Sequence, residues 1–379
     1  MDTIALYIHI PFCQKKCYYC DFNSYSGKQH LIKDYVEALK KEVLMYKSVL
    51  NNYRISTIFF GGGTPSILEG EQIADIMDTI KKHYDIEDNA EISIEANPGT
   101  LNYSKLKEYY SKGINRLSIG LQACQNTLLK TLGRIHNFED YLENLEEARE
   151  IGFYNINTDL MFSLPGQSEN DLVKCLEKIV LLDIPHISAY SLIVEEGTPF
   201  NDWIRDKTIV LPDEETQLEM YHSVIEYLKE KGYEHYEISN FARPGFQCKH
   251  NMVYWHNKQY IGLGAGSHSC FNKKRFSNIN GIEEYIGSVK GGKIPSENKI
   301  ALSTRDEISE TMFLGLRMTE GISVEEFTER FAVSPFEIYD KQIRKFSAQG
   351  LLEYDEANIR LTQKGIDISN VVFQELLLD

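Results

Sequence analysis

Cys13, Cys17 and Cys20 form the run Cys-x-x-x-Cys-x-x-Cys near the start of this 379-residue chain. Thiolates are nucleophiles and soft metal ligands, and three on one loop suit a metal centre. Structural zinc sites close with four N or S ligands, and iron–sulfur clusters normally take four thiolates. Three thiolates therefore leave one metal position for a ligand that is not protein. Lys15, Lys16, Tyr18 and Tyr19 interleave the cysteines where a core stripe would place aliphatic residues. The spacing fits a three-thiolate cluster, and also a zinc site completed by a distant residue such as Cys248 or a histidine.

Other candidates for chemistry follow the cysteines at intervals. Gly61-Gly62-Gly63-Thr64-Pro65 is a turn whose glycines let backbone amides and carbonyls approach a bound ammonium or carboxylate. Glu95, Gln122, Asp159 and Tyr190-Ser191 each end or interrupt an apolar run. The elements that must position them alternate between short β-branched runs and longer amphipathic stretches up to about residue 195. Strands are predicted at 4–9, 55–60, 91–95, 115–120, 155–162 and 186–192. Ile32, Tyr35, Val36, Leu39 and Val43 share one helical face, and Phe138, Tyr141, Leu142, Leu145 and Ala148 share another before Gly152. Ser168 with Asp171 forms a capping-box pattern opening a further helix.

Six strand–helix units build either an open doubly wound sheet or a partial barrel. Unusual polar residues gathered at strand C-terminal ends are how α/β barrels assemble a site, and this favours the α/β partial (β/α)6 barrel. Three domains are expected: the barrel at 1–195, an extension at 196–300 and a C-terminal module at 301–379. The extension opens with a helix at 214–231. It then carries Cys248-Lys249-His250-Asn251-Met252-Val253-Tyr254-Trp255-His256-Asn257, read as a strand-like stretch of histidine and aromatics. Gly262-Leu-Gly264-Ala-Gly266 reads as a close-packed turn, because it lacks the spacing of a dinucleotide-phosphate loop. A linker at 289–300 precedes helices near 305–317, 323–331 and 335–348 and a small hairpin, a winged-helix-like arrangement.

A net charge of −16 argues against a chain-wide nucleic-acid footprint. No apolar run approaches membrane-spanning length, so membrane contact is expected to be peripheral. Seven cysteines in this length are too sparse and odd in number for a disulfide framework, no secretory leader is read at the start, and a cytoplasmic, reducing setting is expected.

The cysteine run after Tyr7-Ile8-His9-Ile10-Pro11-Phe12, the Gly-Gly-Gly-Thr-Pro turn and Ser93-Ile94-Glu95-Ala96-Asn97-Pro98 together resemble the radical S-adenosylmethionine (SAM) proteins. More narrowly, the chain resembles the group related to oxygen-independent coproporphyrinogen III oxidase, with matching segments through Asp159-Leu160-Met161-Phe162-Ser163-Leu164-Pro165-Gly166-Gln167 to the C-terminal module. The resemblance implies a [4Fe–4S] cluster on Cys13, Cys17 and Cys20, with the amino and carboxylate groups of SAM on its open iron. It places Tyr7, Tyr19, Gly62, Gly63, Thr64, Glu95, Gln122, Arg134 and Asp159 around SAM. Carboxylates there would accept from ribose hydroxyls or an ammonium, and Arg134 would pair with a carboxylate.

Two departures separate the chain from the oxidase pattern. The fourth cysteine of that pattern, two positions after the third, is Phe22 here, and the oxidase's N-terminal extension is not expected, since Tyr7 lies six residues from the start. Cys20-Asp21-Phe22 with His250-Asn251-x-x-Tyr254-Trp255 instead resembles the HemW haem chaperone family. That resemblance implies haem as cargo, contacted by His250 or by its neighbours Cys248 and His256, and acceptors such as respiratory-chain haemoproteins. It leaves a homodimer open. The enzyme alternative is the coproporphyrinogen oxidase, and the binding-module alternative is a zinc-dependent interaction protein.

Overall fold

The computed structural model describes residues 2–378. Six strands run parallel and lie in chain order: β1 (Asp2–Ile10), β2 (Tyr53–Gly62), β3 (Asp85–Ala96), β4 (Arg116–Gln122), β5 (Asn155–Phe162) and β6 (His186–Ser191). They are the six predicted strands, and β3 starts earlier than its β-branched run suggests. Helices α1 (Ile32–Met45), α2 (Gly70–His83), α3 (Tyr103–Ser111), α4 (Asn126–Leu132), α5 (Phe138–Ile151) and α6 (Glu169–Leu181) occupy the intervening segments.

Local sequence accounts for these helix boundaries. Tyr35, Val36, Leu39 and Val43 form the buried face of α1. Gly152 ends α5 in the left-handed region at φ 117°, which only glycine adopts without strain. The Ser168 hydroxyl accepts from the Asp171 amide and the Asp171 carboxylate accepts in return from the Ser168 amide, closing the predicted capping box.

Beyond α7 (Pro199–Arg205) and α8 (Glu214–Glu230), the chain extends the same sheet at both edges. Strands β7 (Glu234–Glu237) and β8 (Asn240–Ala242) add antiparallel next to β6. After α9 (Lys249–Trp255), β9 (Tyr260–Leu263) crosses to the other side and pairs parallel with β1, Ala5 opposite Tyr260. Strands β10 (His268–Phe271), β11 (Lys274–Asn278) and β12 (Ser296–Ala301) continue antiparallel, with α10 (Ile282–Lys290) packed on α1. The result is a twelve-stranded sheet, ordered β12-β11-β10-β9-β1-β2-β3-β4-β5-β6-β8-β7. One apolar core runs from Ile4 to Val289.

Two sequence expectations change here, and the glycine segment is the close-packed turn expected. The stretch around His250 is a helix, not strand-like, because seven residues with a single buried member carry no legible period. The end of the expected linker, residues 296–300, belongs to the edge strand β12, which is nearly all exposed and therefore polar. The glycine segment begins as β9, and its turn amide at Gly264 donates to the buried Glu42 carboxylate at 2.8 Å. That carboxylate takes the place an anionic ligand would need.

The C-terminal module has its own core, from Ile308 to Leu376. Helices α11 (Thr304–Gly315), α12 (Val324–Phe331) and α13 (Pro335–Ala348) pack with β13 (Ile322–Ser323), β14 (Leu352–Tyr354) and β15 (Asn358–Leu361), the winged-helix-like arrangement. Among the described residues no helix is long and apolar enough to cross a membrane. Cys124 and Cys175 are joined to each other, a single bond rather than a framework, and the other five cysteines are free.

Candidate cluster site and the adjoining cavity

The thiol loop leaves the C-terminal end of β1 and is stitched to the glycine turn after β2. The Gly63 amide donates to Ile10 O at 2.9 Å and the Thr64 amide to Phe12 O at 2.8 Å. This close approach explains Gly63, since a Cβ there would lie 2.7 Å from Phe12 O and 3.1 Å from Cys13 Sγ. Gly62 has φ 113°, and its Cβ would meet the His9 ring. The far side of the loop is pinned by Tyr18, whose amide donates to Leu132 O and whose ring stands edge-on to Trp203 at 4.9 Å. Asn23 ties the loop's end to the extension by donating to Ala265 O and Asn280 O at 3.2 Å.

The three thiols line one cleft of about 140 Å³, together with Tyr19, Gly62, Gly63, Thr64, Glu95, Gln122, Arg134 and Asp159. Eight of the nine residues expected around SAM therefore converge on the cysteines. The exception is Tyr7, whose hydroxyl lies 3.1 Å from His9 Nδ1 and whose ring faces a second cavity. Thr64 Oγ1 lies 3.5 Å from Cys13 Sγ and Arg134 Nη1 lies 3.5 Å from Cys17 Sγ, two donors aimed at thiolate sulfur. Burial pushes the Cys20 thiol above its ordinary value.

Two residues of this cleft escaped the sequence reading as site members. Asn97 bridges, donating to Thr64 Oγ1 at 3.1 Å and accepting from Arg134 Nη2 at 2.5 Å, while Gly120 O accepts from the same Nη2 at 2.6 Å. The signal for Asn97 was its place two residues beyond Glu95, just past the end of β3. Burial, helped by the neighbouring Asp159, pushes the Glu95 carboxyl up to about 8, and its Oε2 accepts from the Gly62 amide. Burial likewise raises Asp159, which accepts from Asn157 at 2.7 Å.

The donor set fits a cluster better than a single ion. Thiolates around one zinc sit about 2.3 Å from it, and among the described residues no three His, Cys, Asp or Glu side chains converge in that way. Thiolates that each take a different corner of a cluster need not meet at a point. Among the described residues Arg134 Nε is buried with no hydrogen-bond partner, a donor left for a bound group.

The second cavity, about 620 Å³, opens beside the cleft and shares Phe22, Gly62 and Glu95 with it. Its wall holds Tyr7, Tyr254, Trp255 and Tyr260, with Lys258 and Arg275 as cations. Phe22 is 63% exposed, large and apolar, at the boundary between the two spaces. Helix α9 supplies Tyr254 and Trp255, and the barrel fixes it: Glu91 of β3 accepts from the Lys249 and His250 amides at 3.1 Å and from the Cys248 thiol at 3.5 Å.

His250 itself is not on this wall. It is 1% exposed and stacks on Phe59 at 5.0 Å, with Nδ1 2.8 Å from Thr57 Oγ1 and Nε2 2.9 Å from the Tyr254 hydroxyl. Those contacts tie the segment to the barrel, and both ring nitrogens are engaged. Cys248 is fully buried, its thiol pushed up to about 12 by burial, and His256 faces a different cavity against the C-terminal module.

A thiol loop after the first parallel strand, a glycine turn after the second and carboxylates at later strand ends define a radical SAM protein, whose cofactors are a [4Fe–4S] cluster and SAM. Residues 7–179 match the radical SAM superfamily, and residues 302–368 match the HemN C-terminal domain. The chain is 39% identical to the heme chaperone HemW of Bacillus subtilis over 98% of its length and 99% of that protein. It is 38% identical to HemW of Lactococcus lactis over 99% and 97%. The chain belongs to the HemW heme chaperone family. Its fold is that of the coproporphyrinogen III oxidase HemN of Escherichia coli, with a TM-score of 0.86 at 24% identity over 99% of this chain and 90% of that one. The oxidase alternative is the less supported of the two.

Proposed function

We propose that this chain is a haem chaperone of the cytoplasm that takes haem into the 620 Å³ cavity and passes it to acceptor haemoproteins such as those of the respiratory chain. Cys13, Cys17 and Cys20 hold a [4Fe–4S] cluster, whose open iron supplies a corner for the amino and carboxylate groups of SAM. Tyr19, Gly62, Gly63, Thr64, Gln122 and Arg134 surround that ligand, with Glu95 and Asp159 as acceptors for its hydroxyls or ammonium.

The observation that carries the haem reading is the cavity's chemistry. A metalloporphyrin is flat, aromatic and anionic at one edge, and this cavity combines the rings of Tyr7, Phe22, Tyr254, Trp255 and Tyr260 with Lys258 and Arg275. Its size is that of a small-molecule site. Relatives matching nearly the whole chain carry the name heme chaperone, which supports the same reading.

Anaerobic reconstitution followed by parallel assays tests it. The reconstituted chain is expected to bind haem saturably at one site and to leave coproporphyrinogen III unconverted in the presence of SAM and a strong reductant. Turnover at an ordinary enzymatic rate, on the order of one per second, would replace the chaperone reading with the oxidase.

A further inference from the structure

Resting on the haem reading, the structure also indicates how iron is held. Haem proteins bind iron through an imidazole, thiolate, thioether or phenolate that is free to approach it. Two histidines line the 620 Å³ cavity, His9 and His268. His9 is occupied: its Nδ1 meets the Tyr7 hydroxyl at 3.1 Å and its Nε2 meets Asn23 O at 2.9 Å. His268, the first residue of β10, is exposed, and its ring nitrogens make no hydrogen bond to any described residue.

The other candidate ligands on this wall are committed elsewhere. The Tyr7 and Tyr254 hydroxyls meet His9 and His250. Burial pushes the Tyr260 hydroxyl above its ordinary value, which disfavours the phenolate that would bind iron. No cysteine or methionine lines the cavity among the described residues.

We propose that His268 is the axial ligand of haem iron, with the porphyrin against Tyr254 and Trp255 and its propionate edge toward Lys258. Lys258 suits that edge because it forms no ion pair among the described residues, whereas Arg275 already donates to Glu310 at 2.8 Å. A ligand on an exposed strand start, outside the core that holds His250, also suits cargo that must leave. The iron can be surrendered without disturbing buried structure.

Titration of the full-length chain with ferric haem, read by the Soret band, tests the assignment. His268→Ala is expected to lose at least about tenfold in affinity and to shift the Soret maximum, and added imidazole should restore the wild-type band. Lys258→Ala should weaken binding while leaving the band in place. Wild-type affinity and spectrum in His268→Ala, or weakened binding that imidazole does not restore spectrally, would overturn the ligand assignment alone. No saturable site in the wild type would instead overturn the haem reading itself. Circular dichroism of each variant separates loss of ligand from loss of fold.

Discussion

Thr57 Oγ1 and His250 Nδ1 lie 2.8 Å apart inside the protein, joining the second barrel strand to the helix that walls the large cavity. Thr57 is 2% exposed and His250 1%. Burial, reinforced by the Arg116 charge, pushes the imidazole down to about 3, so it is neutral at physiological pH. A neutral imidazole offers one donor and one acceptor, and the Thr57 and Tyr254 hydroxyls can each serve either.

His250→Ala is therefore expected to act on stability first. Removing a packed ring and stranding two hydroxyls should cost about 2–4 kcal/mol in urea unfolding of the apo chain. Its Soret maximum, where haem still binds, should match the wild type. Unchanged stability with a lost Soret band would return the iron to His250.

The thiol cleft predicts a clean division among the cysteines. Cys13→Ala, Cys17→Ala and Cys20→Ala should each lose iron, acid-labile sulfide and the charge-transfer absorption of the reconstituted protein. Cys124→Ala, Cys175→Ala and Cys270→Ala should keep all three, because none of them lines the cleft. Normal cluster content in the motif variants would refute the site.

Arg134 donates to Asn97, Gly120 and Cys17 at once, a geometry that the planar guanidinium permits and an ammonium does not. Arg134→Lys should retain the cluster yet bind SAM about tenfold more weakly, the loss of one or two charge-assisted bonds. Equilibrium binding of labelled SAM to protein of matched iron content measures this, and equal affinities would remove Arg134 from the ligand's contacts.

Glu42 gives a pH prediction. It is fully buried, and burial pushes its carboxyl up to about 7 against three hydrogen bonds, from Tyr285, the Gly264 amide and Asn278. In the unfolded chain it titrates near 4.5. The folded state thus holds its proton more tightly, so this contribution to stability is full below 4.5 and is lost as pH rises toward 7. Glu42→Gln should flatten that part of the stability profile, measured as midpoints of thermal unfolding between pH 4.5 and 8. A slope identical to the wild type would show that Glu42 does not set it.

The barrel was legible because each of its strands is a run of β-branched or apolar residues and each helix has a periodic face with a cap, as Ser168 and Asp171 show. Of the cleft residues, the glycine turn, Glu95, Gln122 and Asp159 were legible in the strand pattern, whereas Tyr19 and Arg134 came only from the family resemblance. Most of the extension's contribution to the sheet was not. Lys274–Asn278 and Ser296–Ala301 are short, polar strands whose pairing is decided by distant partners, and nothing local distinguishes them from loop. His250 misled for a different reason: a histidine amid aromatics looks like a ligand until Thr57, nearly two hundred positions earlier, is seen to engage it. His268 carries no motif at all and is identified only by the cavity it faces.

The pairing of Ala5 with Tyr260 also sets a timetable for the nascent chain. During synthesis β1 gains its partner Tyr53–Gly62 early, but its other edge stays open until Tyr260–Leu263 has emerged. An unpaired parallel edge of apolar residues is a hazard for mispairing over that interval. The thiol loop directly after that strand is anchored by Asn23 to Ala265 and Asn280, so its final shape also waits for the extension. Cluster loading is therefore expected to wait for this segment, and a chain truncated before Tyr260 should leave that edge of β1 unpaired and hold less iron.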